Sequence, residues 1–112
     1  MNLLFVCGRN RRRSPTAEAI FRGDKRVSVR SGGTSESSPR RVSQADLQWA
    51  DLVCVMERKY ESRLRARFPD LEKWPRMHNL DIPDDYEYMD PLLVDVLRAE
   101  LESILGELDA HS

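Results

Sequence analysis

The chain predicts an α/β fold, a parallel sheet covered by helices on both faces. Three observations carry that prediction. Short apolar runs alternate with stretches of helical period along the chain, an order that builds strand–helix–strand units. The first run, Leu3–Val6, is uninterrupted, as a strand buried on both faces would be. It ends on Cys7, and Pro15 then opens an amphipathic segment. A length of 112 residues gives one domain, 1–112, long enough for a layered core.

The elements follow in order. Strand one is predicted at 2–7 and helix one at 14–22, with Ala17, Ile20 and Phe21 on its inner face. Strand two is predicted at 26–31. Val27 and Val29 alternate there with polar residues, which suits an edge strand with one buried face. Gly32, Gly33 and residues 35–39 are expected to form a loop. Ser43 followed by Asp46 is a capping-box-like start for a short helix reaching about residue 50. Residues 52–56 form a short apolar strand, and 57–68 a helix with Tyr60, Leu64 and Phe68 on one stripe, stopped by Pro69. A fourth strand is expected within 74–80. Asp90-Pro91 starts the last helix, with Leu93, Leu97, Leu101, Ile104 and Leu108 facing inward.

Charge is lopsided although the net value is only −1. Residues 1–45 hold ten Lys/Arg against three Asp/Glu, and residues 46–112 hold eight against sixteen. Arg9, Arg11, Arg12 and Arg13 crowd the cationic half, which fits an anionic substrate. The two cysteines, Cys7 and Cys54, both lie in apolar runs and imply no disulfide framework. No leader-like or membrane-spanning run appears, so a cytoplasmic location and no membrane partner are expected. His78 reads as a packed or surface side chain, His111 as part of the tail, Cys54 as core, and Trp49 and Trp74 as packing. No spacing of His and Cys suggests a metal site.

The chemistry concentrates between Cys7 and Ser14. The C-terminal end of a buried parallel strand is where α/β proteins bind ligands. The helix that follows points free N–H groups and the positive end of its dipole at the same spot. Thiols in that setting ionise readily, which predicts a nucleophilic Cys7 inside a pocket shaped for an oxyanion.

Cys7, five intervening residues, Arg13 and Ser14, set between an apolar strand and Pro-Thr-Ala-Glu-Ala, resemble the phosphate loop of the low-molecular-weight protein tyrosine phosphatase family. Asn10 stands where that family has an asparagine in a left-handed turn, a conformation Asn tolerates. The resemblance continues through Ser31-Gly32-Gly33-Thr34 and from Arg41 to Met56, and it covers most of the chain. It implies a three-layer sandwich with a four-stranded sheet in the order 2-1-3-4. Only a few residues join Thr34 to Arg41, where the family has a longer segment forming part of the pocket rim, so this would be a trimmed member. The family glycine two places after the nucleophile is Arg9 here, and Arg12 takes the place of a second loop cysteine.

The resemblance implies phosphoryl transfer through a phosphocysteine on Cys7. Gly8, Arg9, Asn10, Arg11, Arg12 and Arg13 would bind phosphate through loop N–H groups and the Arg13 fork. Ser14 would donate to the sulfur, and it also reads as a helix N-cap, a compatible role. No cofactor or metal is implied. The family's general acid is an aspartate before the last helix, and three compete here. Asp84 fits the family's spacing to that helix, Asp85 stands beside it, and Asp90 fits the Asp-Pro dipeptide but reads equally as an N-cap. Tyr86 and Tyr88 either face an aromatic substrate or pack the loop. The implied partner is a phosphorylated substrate: a phosphotyrosine protein or, given the arginines, a nucleotide or RNA end. Two other classes remain open. One is a non-catalytic module holding phosphate or nucleic acid on the basic loop. The other is an arsenate reductase, for which only Cys54 is available as a relay thiol.

Overall fold

The computed structural model describes residues 1–110. The side chains of 108–110 and all of 111–112 lie outside what is described, so the expectations for Leu108 and His111 are not addressed. Eight elements alternate: β1 (Asn2–Cys7), α1 (Arg13–Phe21), β2 (Ser28–Gly33), α2 (Gln44–Trp49), β3 (Leu52–Val55), α3 (Arg58–Arg67), β4 (Arg76–Asn79) and α4 (Pro91–Ala110). The four strands form one parallel sheet in the order β2-β1-β3-β4. This is the predicted architecture.

Connections between parallel strands are right-handed. Stepping from β1 to β2 and then back across to β3 therefore places α1 on one face and α2 on the other. Adjacent residues of β2 display the split. Ser31 bonds Glu18 of α1, whereas Arg30 lies over Trp49 and beside Asp46 of α2. The core is the sheet's two faces: Leu3, Leu4, Phe5 and Val6 in β1 and all of β3 are buried. Phe21 of α1 and Leu93, Leu97 and Leu101 of α4 close one side, and Leu47 and Leu64 belong to the same core. No described helix is long and apolar enough to cross a membrane.

Beyond one-residue shifts at the ends of β3 and α3, three boundaries differ from the sequence reading. β2 runs two residues later than predicted, through Gly32 and Gly33, which pair with Val6 and Cys7 instead of forming a loop. Both glycines are needed there for space. A Cβ on Gly32 would meet a Val42 methyl at 2.7 Å, and one on Gly33 would meet Ser38 Oγ at 2.0 Å and the Gly8 carbonyl oxygen at 2.9 Å. The fourth strand is only Arg76–Asn79, at the open edge. α1 begins at Arg13, which puts Ser14 inside the helix instead of at its N-cap.

The capping box at α2 is present. Asp46 N–H donates to Ser43 Oγ, and Ser43 N–H donates to Asp46 Oδ2 at 2.9 Å. Burial raises the Asp46 pKa, but the bonds from Ser43 and Arg40 outweigh it and hold the carboxyl below the usual carboxylate range.

Candidate active site

Strand order reverses between β1 and β3, and the ligand crevice of an open α/β sheet lies at such a switch point. A cleft of about 590 Å³ opens there, lined by Cys7, Gly8, Arg9, Arg11, Arg12, Arg13, Ser35, Tyr60, Arg63 and Asp84. Cys7 is delivered by the last residue of β1 and is 3% exposed.

The Cys7 sulfur accepts two hydrogen bonds, from Asn10 N–H at 3.2 Å and from Ser14 Oγ at 2.9 Å. The second bond has its direction set by its neighbours. Asn10 Nδ2 donates to Ser14 Oγ at 2.9 Å and to Ser31 Oγ at 3.0 Å, and Ser31 in turn donates to Glu18 Oε1. Ser14 Oγ accepts from Asn10, and among the described residues the Cys7 sulfur is the acceptor within reach of its own hydrogen. The turn that brings Asn10 N–H over the sulfur places Asn10 at φ 55°, in the left-handed region that asparagine tolerates best after glycine. Arg9, where the resembled loop has glycine, has no positive φ and is exposed. The loop thus takes its shape from Asn10 at the neighbouring position. Its base is tied to the chain after β2 by Thr34 N–H to the Cys7 carbonyl and Ser35 N–H to the Gly8 carbonyl.

No side chain caps α1. Uncapped N–H groups at a helix N-terminus favour an anion. Ser14 therefore serves the sulfur and not the cap, a correction to the second of the two roles weighed above. Asn10 and Ser14 are buried and do not line the cleft, while Gly8, Arg9, Arg11 and Arg12 do.

Arg13 is 3% exposed and surrounded by partners. Nη1 donates to Glu57 and to the Ile82 carbonyl (2.8 Å), Nη2 donates to Tyr60 Oη (2.7 Å), and Nε stands 3.6 Å from Asp84 Oδ1. Burial works against its charge, but Glu57, then Tyr60 and Asp84, outweigh it and raise the pKa. Glu57 is matched: burial pushes its carboxyl up, and the Arg13 and Lys59 contacts bring it below the ordinary value. With Nη1 committed to the protein, the edge formed by Nε and Nη2 is the part of the guanidinium beside the cleft's acid and phenol.

Of the three aspartates, Asp84 alone lines the cleft. Asp85 is exposed outside it. Asp90 accepts from Leu92 N–H at 2.9 Å with its side chain and from Val94 N–H with its carbonyl, as the N-cap of α4 does. Tyr86 is half-buried against the core and Tyr88 is exposed; neither lines the cleft. Cys54 is fully buried in β3, its thiol pushed up to about 12 by burial. Trp49 packs under Arg30 and Trp74 under Arg65, and His78 is half-buried in β4.

Glu57, Tyr60 and Arg63 were not among the residues the sequence singled out for the site. Tyr60 read as one more apolar position of a helical stripe. The available signal was topological, since the residues just after β3 must emerge beside those just after β1.

No protein-family model and no curated protein sequence matches the chain. Solved structures do. The YwlE arginine phosphatase from Geobacillus stearothermophilus superposes with a TM-score of 0.73 at 21% identity, covering 99% of this chain and 97% of that one. A low-molecular-weight protein tyrosine phosphatase from Streptococcus pyogenes gives 0.76 at 16% identity, with 96% and 92% covered. A protein tyrosine phosphatase from Entamoeba histolytica gives 0.75 at 20% identity, with 99% and 98% covered. The chain has the fold of the low-molecular-weight protein tyrosine phosphatases over nearly its whole length.

Proposed function

We propose that the protein is a phosphomonoester hydrolase that works through a phosphocysteine on Cys7. The observation that carries this reading is the sulfur itself: buried at the end of β1, it accepts from Asn10 N–H and Ser14 Oγ beside an uncapped helix N-terminus. A module that only held phosphate would gain nothing from directing two donors at a thiol. The relay chemistry of a reductase finds no support, because Cys54 is sealed inside β3 with a thiol hard to ionise.

In the first step Cys7 Sγ attacks phosphorus, an S–P bond forms, and the P–O bond to the leaving group breaks. Loop N–H groups and the Nε–Nη2 edge of Arg13 take the phosphoryl oxygens. Asp84 gives its proton to the departing oxygen. In the second step water attacks phosphorus, Asp84 takes the water's proton, and the S–P bond breaks with Ser14 donating to the returning sulfur. Asp84 is the acid supported by position, since it lines the cleft beside Arg13 while Asp90 caps α4.

The test is turnover of a panel of phosphomonoesters, aryl phosphate included, by the wild-type protein and by Cys7→Ser. Wild-type hydrolysis should fall more than about 10³-fold in the variant, while phosphate still binds. Hydrolysis that persists in Cys7→Ser would rule out the covalent route.

A further inference from the structure

The cleft is lined by five arginines and one carboxylate. Two of the five are already engaged: Arg13 by Glu57, Tyr60 and Asp84, and Arg12 by Glu87 at 3.7 Å. Arg9, Arg11 and Arg63 have no carboxylate within 4 Å among the described residues. They come from two sides. Arg9 and Arg11 belong to the loop after β1, and Arg63 stands on α3, one turn past Tyr60. The Tyr60 ring joins the two sides, with Arg13 Cζ 5.4 Å and Arg63 Cζ 5.5 Å from its centroid. Like charges gathered at one cleft repel unless an anion answers them, and a single phosphate on the loop would be met by the amides and Arg13 alone.

The walls of the cleft point the same way. An aryl phosphate wants an aromatic or apolar face, yet the one aromatic lining residue is Tyr60, 4% exposed and surrounded by Arg13, Lys59 and Arg63. The short segment after Thr34 adds Ser35 to the lining and no apolar side chain. The volume, about 590 Å³, suits a small molecule.

Building on the reading above, we infer that the preferred substrate is a small phosphomonoester carrying a second phosphate. The loop and Arg13 hold the phosphate to be transferred, and Arg9, Arg11 and Arg63 hold the other. Charge-assisted arginine–phosphate bonds in a partly enclosed cleft supply the preference, and it weakens as salt screens the exposed arginines.

Calorimetry on Cys7→Ser, which binds without turnover, compares adenosine 3′,5′-bisphosphate with adenosine 5′-monophosphate, and fructose 1,6-bisphosphate with fructose 6-phosphate. The arginine substitutions are made in the same background. In each pair the bisphosphate should bind at least tenfold tighter at low salt. The base is common to both adenosine ligands and the sugar to both fructose ligands, so a preference in either pair reports the second phosphate. A preference in one pair alone supports the inference and fixes the spacing that is read. Arg63→Gln should bring the ratio within about threefold of unity. Arg98→Gln, which removes an exposed arginine of α4 outside the cleft, should leave the ratio intact. Equal affinities within each pair, or equal effects of the two substitutions, would overturn the inference. Turnover by the wild-type protein separates the two readings. Hydrolysis of monophosphates with no bisphosphate preference sinks only the second-phosphate site. The binding preference without hydrolysis of any phosphoester sinks only the phosphatase.

Discussion

Residues 7–14 and residues 81–90 border the same cleft but are held in opposite ways. In the first segment Cys7, Asn10, Arg13 and Ser14 are all buried; Cys7, Asn10 and Ser14 bond one another, and Arg13 bonds Glu57, Tyr60 and the Ile82 carbonyl. The second is fastened near its ends, by the buried Ile82, whose N–H donates to the Met56 carbonyl, and by Met89 N–H to Thr16 Oγ1. Between them Asp84 is 61% exposed. The nucleophile is thus positioned by the same contacts that hold the loop together, whereas the proposed acid is positioned by a backbone that does not depend on it. Stability and chemistry should be inseparable on the first side and separable on the second.

The largest effect that would sharpen this contrast is on rate. Asp84→Asn should slow turnover of substrates with poor leaving groups by about 10²–10⁴, the usual worth of a general acid. Substrates with good leaving groups should be much less affected, and the melting temperature should stay within about a degree. A uniform loss across leaving groups would mean that Asp84 acts through Arg13 and not on the leaving oxygen. Next comes Asn10→Ala, which removes the donor shared by Ser14 and Ser31 and puts alanine at φ 55°. Orphaned buried hydroxyls and a left-handed alanine together cost about 3 kcal/mol, which lowers the melting temperature by roughly 10 °C for a domain of this size. Activity should fall with it even at temperatures where the variant is folded. A stable but inactive Asn10→Ala, or an active but unstable one, would break the claim that the two are coupled on this side. The smallest effect belongs to Asp90→Ala. Losing the N-cap costs about 1 kcal/mol, or about 4 °C, with turnover little changed. Asp90→Asn, which keeps a capping side chain, should restore most of the melting temperature.

The same contrast explains what could be read in the sequence. The sheet and the loop were legible because they depend on local pattern, with Leu3–Val6 as an unbroken apolar run and Ser43 and Asp46 as a capping pair; the strand order and the left-handed place of Asn10 came with the family resemblance. Gly32 and Gly33 read as a turn because glycines usually mark one. Here they extend a strand, and what keeps them glycine is the space taken by Val42, Ser38 and Gly8, contacts that only the folded chain brings together. Glu57, Tyr60 and Arg63 were illegible for a related reason. Glu57 and Tyr60 bond Arg13, more than forty positions away, and Arg63 joins the cleft over the Tyr60 ring, so no spacing rule reaches them. The three aspartates were ambiguous because Asp84, Asp85 and Asp90 share one short stretch. Only the cap on Leu92 N–H and the cleft beside Arg13 tell them apart.

The central claim is a covalent phosphoenzyme on Cys7. It is tested most directly by mixing the wild-type protein with an aryl phosphate, quenching within the first turnover, and locating phosphate by mass spectrometry of the digested chain. One phosphoryl group on the peptide that contains Cys7, forming and decaying at rates consistent with turnover, is the expected result. Steady hydrolysis with that peptide unmodified at every time, or a phosphoryl group on any other side chain, would contradict it.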